Sequence, residues 1–152
     1  MTSNRTRHKP TVCIIGSLRF RETMIEISSL LAKNGYACHV PVPGKYRDQK
    51  HPGNYVEGYG PSVLFSEKVA EEGKCIRGYL EKVRESDVIY VVNPGGYVGF
   101  NTVGEIYCAF ENKKRVFALE RVDDDRRLGI MSFMGGVVNP HDFVSILQTN
   151  SS

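Results

Sequence analysis

The first third of the chain alternates short apolar runs with one helical stretch. The run TVCIIG, residues 11–16, is rich in β-branched side chains and ends in glycine, which is typical of a buried strand. The stretch FRETMIEISSLLAKNG places Met24, Ile27 and Leu31 at helical spacing, and YACHVPV then returns to an extended pattern. A strand, a helix and a strand joined by short connections form a βαβ unit, so we predict a parallel sheet.

The alternation of helical and extended patterns continues to the C-terminus. The predicted elements are a helix over about 62–86, a strand at 87–93 (DVIYVVN), a helix that carries Glu105, strands at 115–120 and 136–138, and a helix from Pro140. Together these elements predict a three-layer α/β sandwich with about five parallel strands. We expect one domain over residues 11–149, after a disordered basic tail at residues 1–10.

Composition limits the class of protein. At 152 residues the chain suits one domain, and its 41% hydrophobic and 24% charged residues are ordinary for a soluble globular protein. No apolar stretch approaches the roughly 20 residues that cross a bilayer, and the polar N-terminus lacks the apolar core of a secretion signal. We therefore predict a cytoplasmic protein without a membrane partner. The net charge of +3 is too small to indicate a nucleic-acid partner, although a phosphate-contacting tail is an alternative.

The four cysteines lie far apart in the sequence, and no two of them form a C-x-x-C pair. Zinc sites usually contain closely spaced ligand pairs, so we predict no metal site. Three of the cysteines fall within apolar segments, where a buried, reduced thiol is the simplest interpretation.

Residues 41–61 interrupt the α/β pattern with four prolines and four glycines. Tyr46, Tyr55 and Tyr59 are interleaved with them. A loop of this length in a compact domain is usually functional or disordered. The tyrosines favour a lid that covers a substrate and closes when the ligand binds, with a plain linker as the alternative.

Ligands of open parallel sheets bind beyond the carboxyl ends of the strands, and two strand ends stand out. At the first, Gly16, Ser17 and Arg19 lead into a helix, where free N–H groups and an arginine suit an anion such as a phosphate. The G-x-G-x-x-G pattern of dinucleotide sites is absent. The alternative is a tight strand-to-helix turn with Arg19 on the helix surface.

The second strand end is NPGGYVGFNTVGEIYCAF, residues 93–110, in which three glycines precede an apolar helix. Thr102 and Glu105 have the spacing of a capping box, in which the two side chains satisfy free amides of the first turn. The alternative is a chemical role, because glycines let the backbone approach a ligand and the helix dipole keeps a nearby carboxylate ionised. An ionised carboxylate beside an open cavity is a candidate nucleophile.

The segments GSLRF, SDVIYVVNPGGYVGFNTVGEIYCAFENKKRVFAL and GIMSF together resemble the nucleoside 2-deoxyribosyltransferase family and its nucleotide-hydrolysing relatives. The resemblance covers residues 11 to about 133. It implies a flavodoxin-like, Rossmann-like fold, homo-oligomers with sites at subunit interfaces, and no cofactor. It also implies that the glutamate matching Glu105 attacks C1′ of the deoxyribose, and that the covalent intermediate passes to another base or to water, as in a retaining glycosidase.

Several family positions differ in this sequence. An aspartate eight residues before the central strand, which helps the base to leave, corresponds to Tyr79, and an acid six residues before the nucleophile corresponds to Gly99. An asparagine from a neighbouring subunit corresponds to Gly129, whereas Met131 is retained. A phenol with a usual pKa of about 10 is a weaker proton donor than a carboxylic acid. Replacing an acid by Gly99 removes negative charge and favours a nucleotide over a nucleoside.

These observations predict cleavage or transfer of the N-glycosidic bond of a nucleoside or a nucleoside 5′-monophosphate. The predicted catalytic residues are Glu105 and Tyr79. The predicted substrate-binding residues are Gly16, Ser17, Arg19, Asn93, Gly95, Gly96, Gly99, Asn101, Thr102 and Met131. The replaced acids favour an alternative, a nucleotide-sensing module of the same fold without chemistry. A flavin-binding or unrelated enzyme is a third hypothesis, for which GSLRF lacks a Ser/Thr-rich phosphate loop.

Overall fold

The computed structural model describes residues 9–43, 45–47, 55–57, 65–125 and 128–150. Within these residues the strands are β1 (Val12–Ile15), β2 (Cys38–His39), β3 (Lys45–Arg47), β4 (Tyr55–Glu57), β5 (Val88–Val91), β6 (Arg115–Ala118) and β7 (Gly136–Val137). The α-helices are α1 (Arg21–Lys33), α2 (Phe65–Glu85), α3 (Phe100–Glu111) and α4 (Pro140–Asn150). Short 3-10 turns cover Leu18–Phe20, Pro94–Gly96 and Leu128–Phe133.

The described strands form one parallel sheet in the order β2-β1-β5-β6-β7, beside a separate hairpin. All four residues of β1 and all four of β5 are buried, because helices cover both faces of the sheet. These two strands pair in register from Val12 with Val88 to Ile15 with Val91, so their carboxyl ends lie at the same edge. The predicted α/β sandwich with about five parallel strands is confirmed.

The helices form two layers. α1 and α4 pack on one face of the sheet through apolar side chains such as Met24 and Phe143. α2 and α3 pack on the other face through side chains such as Val83 and Ile106. Since alternate residues of a strand point to opposite faces, Cys13 of β1 faces the layer that α2 and α3 form.

The segment rich in proline and glycine contains a short antiparallel hairpin where the sequence predicts only a loop. β3 pairs with β4 from Lys45 with Glu57 to Arg47 with Tyr55. Strands of three residues flanked by glycine and proline leave too short a pattern to detect. Residues 44, 48–54 and 58–64 lie outside the described residues, and so does the predicted start of the second helix at residue 62. The lid and the linker both stay predictions.

The predicted N-terminal tail falls mostly outside the description, which begins at Lys9. The Lys9 ammonium donates a hydrogen bond to the Asn34 carbonyl at 3.2 Å and lies 5.1 Å from the centre of the Tyr36 ring. The chain is therefore attached to the end of α1 before β1 begins. None of the described helices is long and apolar enough to cross a bilayer.

Candidate active site

The candidate site lies at the carboxyl ends of β1 and β5, where Gly16 allows the segments that follow these two strands to pass close together. Gly16 has a φ of +156°, and a Cβ atom there would lie 2.5 Å from the Val92 carbonyl oxygen. The ladder continues past the strands, since the Val92 amide donates to the Ile15 carbonyl at 2.8 Å. The predicted site residue Gly16 thus brings the first loop against the second.

Arg19 lies in the 3-10 turn that follows β1 and precedes α1, and Ser17 is the N-cap residue of that turn. The Ser17 hydroxyl oxygen accepts a hydrogen bond from the Arg19 amide at 3.4 Å. The guanidinium carbon of Arg19 lies 4.0 Å from the centre of the Tyr97 ring. Arg19 therefore joins the loop after β1 to the loop after β5, rather than lying on the surface of α1.

Asn93 fixes the start of the loop after β5. It is fully buried, and its amide donates to the Glu120 carbonyl at 2.8 Å and accepts from the Glu120 amide at 2.9 Å. This pair of bonds extends the contact between β5 and β6 by one side chain. The Glu120 carboxylate in turn accepts a hydrogen bond from the Gly95 amide at 2.7 Å. Asn93 was predicted to bind substrate, and in this structure its amide holds the loop.

Gly95 and Gly96 both adopt the left-handed backbone region, with φ values of +70° and +81°. Their surroundings differ. A Cβ atom on Gly96 would lie 2.5 Å from the Arg121 carbonyl oxygen and 2.7 Å from the backbone nitrogen of Asp123, whereas one on Gly95 would have no neighbour within 4 Å. Gly96 is thus required for packing, and Gly95 leaves open space beside the backbone.

A cleft of about 360 Å³ opens beside this loop. Its walls are Gly95, Gly96, Tyr97, Val98, Gly99, Phe100, Asp123 and Asp124. The cleft volume lies within the range of small-molecule sites. Gly95, Gly96 and Gly99, which the sequence predicts to bind substrate, thus lie in the wall of this cleft.

α3 begins at Phe100, with Gly99 as its N-cap residue. Thr102 is therefore the third residue of the helix and Glu105 the sixth, and both are buried. A capping box needs its Ser or Thr at the N-cap position, so the capping interpretation of this pair is wrong. The chemical role of Glu105 stays a prediction.

The Glu105 carboxyl group is buried with an incomplete set of partners. The residue is 9% exposed, and its Oε2 atom has no hydrogen-bond partner in the described structure. Burial raises the pKa of this carboxyl from 4.5 to about 8. Burial thus favours the protonated carboxyl, contrary to the expectation that the helix dipole keeps Glu105 ionised, because the loss of hydration outweighs the dipole. A buried polar atom without a partner is expected where a ligand or a reaction supplies one.

Tyr79 of α2 lies near Glu105 on the same face of the sheet. Its hydroxyl donates to the carbonyls of Ile14 and His39, the second at 3.3 Å. Burial raises the pKa of the Tyr79 hydroxyl, and the Cys13 thiol and the Glu105 carboxylate raise it further. The Cys13 thiol is also kept protonated, since burial raises its pKa to about 12. The structure thus brings Tyr79 and Glu105 into one electrostatic environment, with Tyr79 turned toward the main chain.

No family model and no curated protein matches the sequence, whereas solved structures share its fold. A 2-deoxyribosyltransferase from Bacillus psychrosaccharolyticus aligns with a TM-score of 0.55 at 14% identity, over 90% of this chain and 95% of its own. The chain has the fold of a 2-deoxyribosyltransferase. A conserved protein from Enterococcus faecalis V583 aligns with a TM-score of 0.55 at 10% identity, over 94% and 99% of the two chains. A Clostridium botulinum CMP N-glycosidase has a TM-score of 0.48 at 12% identity, over 91% and 98%.

Within this fold, two more predicted substrate residues belong to the 3-10 turn Leu128–Phe133 and to α3. Met131 is half-buried at the edge of the core beside α3, and its sulfur accepts a hydrogen bond from the Val122 amide at 3.4 Å. Asn101 is exposed in the first turn of α3. No contact described for either residue reaches the Glu105 carboxyl. Both assignments stay predictions.

Sequence reasoning missed five side chains that line the cleft: Tyr97, Val98, Phe100, Asp123 and Asp124. Tyr97 lies inside the glycine-rich segment, where an aromatic residue between glycines is a signal for ligand or side-chain stacking. The two aspartates follow β6, the neighbour of β5 in the sheet. The rule that ligands bind beyond the carboxyl ends of parallel strands would have pointed to them.

Proposed function

We propose that the protein cleaves or transfers the N-glycosidic bond of a nucleoside or nucleoside 5′-monophosphate, with Glu105 as the nucleophile. The observation that carries the proposal is the buried Glu105 carboxyl, whose Oε2 has no partner within the described structure, one and a half turns into a helix that starts at the cleft. The shared fold with a 2-deoxyribosyltransferase supports the same chemistry.

The proposed reaction has two steps at the same sugar carbon. In the first, a Glu105 oxygen bonds to C1′ as the C1′–N bond breaks, and the base leaves with the bonding electron pair and takes up a proton. In the second, water or another base bonds to C1′ and the glutamyl ester breaks, which retains the configuration. Only the ionised carboxylate can attack, so the proton that burial holds on Glu105 has to leave first.

Tyr79 is the proposed proton donor to the departing base. Its hydroxyl donates to the main-chain carbonyls of Ile14 and His39, so it has to turn toward the substrate to act. A phenol whose pKa is raised by burial is a weak acid and transfers little of its proton to the base while the C1′–N bond breaks. We therefore expect Tyr79 to assist a leaving base through a hydrogen bond, with a smaller effect on rate than Glu105.

Arg19 and Ser17 form the proposed subsite for a 5′-phosphate. The Arg19 guanidinium is exposed at the rim where the loops after β1 and β5 meet, and no described carboxylate pairs with it. Charged hydrogen bonds to phosphate contribute about 1.5–3 kcal/mol. We expect a 5′-monophosphate to bind about tenfold more tightly than its nucleoside. Calorimetric titration of both ligands should show that Arg19→Ala reduces this difference in affinity. Equal affinities of the unmodified protein for the monophosphate and the nucleoside would contradict the phosphate subsite.

A homo-oligomer is also part of the proposal. The outer face of α3 presents Phe100, which is 85% exposed, together with Tyr107 and Phe110. Tyr107 and Phe110 both contact the Phe133 ring, at 5.5 and 4.5 Å between centroids. Aromatic residues in such number are unusual on a solvated helix face and are enriched at protein interfaces. This face adjoins the cleft, so a second copy seated there would border the site.

A nucleotide-sensing module without chemistry is the second candidate function. The observation that favours it is the Tyr79 hydroxyl, which is engaged by main-chain carbonyls, together with Gly99 in place of a carboxylic acid. Incubation with the four 2′-deoxynucleosides and their 5′-monophosphates, followed by chromatography of the released base, separates the two functions. Base release supports the enzyme, whereas tight binding of a nucleotide without base release supports the sensor.

A further inference from the structure

Arg19 rests on the ring of Tyr97. The guanidinium carbon lies 4.0 Å from the ring centre, which is the distance of a cation–π stack. The Tyr97 ring also meets the edge of Phe20, with 6.2 Å between centroids and an angle of 70° between the planes. The stacked pair therefore joins the loop after β1 to the loop after β5, and the loop after β5 lines the cleft.

The loop that carries Tyr97 is held by several backbone bonds. The Gly95 amide donates to the Glu120 carboxylate at 2.7 Å, and the Gly96 amide donates to the Asn93 carbonyl at 2.8 Å. On the far side, the Asp123 amide donates to the Gly96 carbonyl at 3.1 Å. Tyr97 thus stands on a fixed backbone, whereas Arg19 is a long side chain that would otherwise sample many rotamers.

Stacking leaves the chemistry of the guanidinium intact. A guanidinium has five N–H donors in its plane, and an aromatic ring that stacks on its face leaves them available. No hydrogen bond to a described residue uses these donors, so they are available to an anion. The Asp123 carboxylate also lines the cleft, and its negative charge disfavours an anion close to it.

We propose that Tyr97 is a positioning residue that holds the Arg19 guanidinium for the 5′-phosphate and so sets the preference for nucleotide over nucleoside. This inference rests on the proposed function. Tyr97 does not need to touch the phosphate or the reacting sugar. Its effect passes through Arg19, because a pre-oriented guanidinium loses less conformational freedom when the phosphate binds.

The test compares Tyr97→Leu, which removes the stack, with Tyr97→Phe, which keeps it. Calorimetry measures the affinity of each variant for the four 2′-deoxynucleoside 5′-monophosphates and for the matching nucleosides. We expect Tyr97→Leu to weaken monophosphate binding about three- to fivefold and to leave nucleoside binding within about twofold. Tyr97→Phe should stay within about twofold of the unmodified protein for both ligands. The Leu substitution should have no further effect on monophosphate binding when Arg19→Ala is already present.

Two results would overturn the inference while leaving the proposed function intact. Equal losses of monophosphate and nucleoside affinity in Tyr97→Leu would mean that the ring stacks on the base. A loss that persists undiminished in the Arg19→Ala background would mean that Tyr97 does not act through Arg19. If the unmodified protein binds none of the eight ligands, the proposed function fails and the inference fails with it. These affinities do not depend on turnover, so an inactive protein that binds nucleotides still decides the role of Tyr97.

Discussion

Replacing Glu105 by glutamine should stabilise the protein in a pH-dependent manner. Burial raises the pKa of this carboxyl from 4.5 to about 8, so between these values the folded protein holds a proton that the unfolded chain has released. In this interval each pH unit lowers the free energy of unfolding by about 1.4 kcal/mol. This loss of folding stability is absent below pH 4.5 and reaches about 3 kcal/mol at pH 7, because over this range the carboxyl ionises in the unfolded chain and not in the folded protein.

Glu105→Gln removes this dependence because its amide does not titrate. The stability of the variant relative to the unmodified protein should rise by about 3 kcal/mol between pH 4.5 and pH 7, and should stop rising above pH 8. The change with pH is the informative quantity, since the burial cost of the amide itself is the same at every pH. Urea unfolding at half-unit pH intervals measures it, provided that the m-values of the two proteins agree.

Glu111→Gln is the matched control, because Glu111 ends the same helix and is exposed. Its stability difference from the unmodified protein should change little over the same pH range. The reasoning would be refuted if the free energies of unfolding of Glu105→Gln and the unmodified protein differed by the same amount at every pH. That result would show that Glu105 titrates normally and that its carboxyl is solvated or paired in solution.

Three further predictions concern activity, packing and assembly. The kcat/KM for base release should rise about tenfold from pH 6 to pH 7 and level off above pH 8, as Glu105 ionises; a flat profile would contradict attack by this carboxylate. Gly96→Ala should lower the free energy of unfolding in urea by about 3 kcal/mol, because its Cβ would lie 2.5 Å from a backbone oxygen. Gly95→Ala, whose Cβ has open space, should lower it by about 1 kcal/mol, and equal losses would contradict the packing argument. Tyr107→Glu should lower the sedimentation-derived mass toward 17.1 kDa while Lys33→Glu should not, and an unchanged mass would exclude the α3 face as the interface.

The sequence predicts the sheet well because its inner strands are buried on both faces. TVCIIG and DVIYVVN read as uninterrupted apolar runs, and the structure buries every residue of β1 and β5. The hairpin of β3 and β4 escapes prediction because two strands of three residues among prolines and glycines carry no detectable period. Long, strongly patterned elements are predictable, and short ones depend on contacts that a sequence does not show.

The candidate site is predictable in location and only partly in chemistry. The glycine-rich segment and Glu105 stand out in the sequence, and the structure places them beside a cleft and in the adjoining helix. The spacing of Thr102 and Glu105 predicts a capping box, yet the helix begins at Phe100 with Gly99 as its N-cap residue. Thr102 therefore lies three residues past the position that a capping box requires. The ionisation of Glu105 depends on how many polar atoms reach it after folding, which no local pattern records.

The covalent intermediate on Glu105 tests the central claim most directly. A 2′-deoxy-2′-fluoro-arabinosyl analogue of the best substrate should form the glycosyl ester and release it slowly, because the fluorine destabilises the positive charge that develops at C1′. Mass spectrometry of the intact protein and of its peptides should then show one added pentosyl group on the peptide that contains Glu105, and none in Glu105→Gln. Base release that continues in Glu105→Gln, or a pentosyl group on a different residue, would contradict the account.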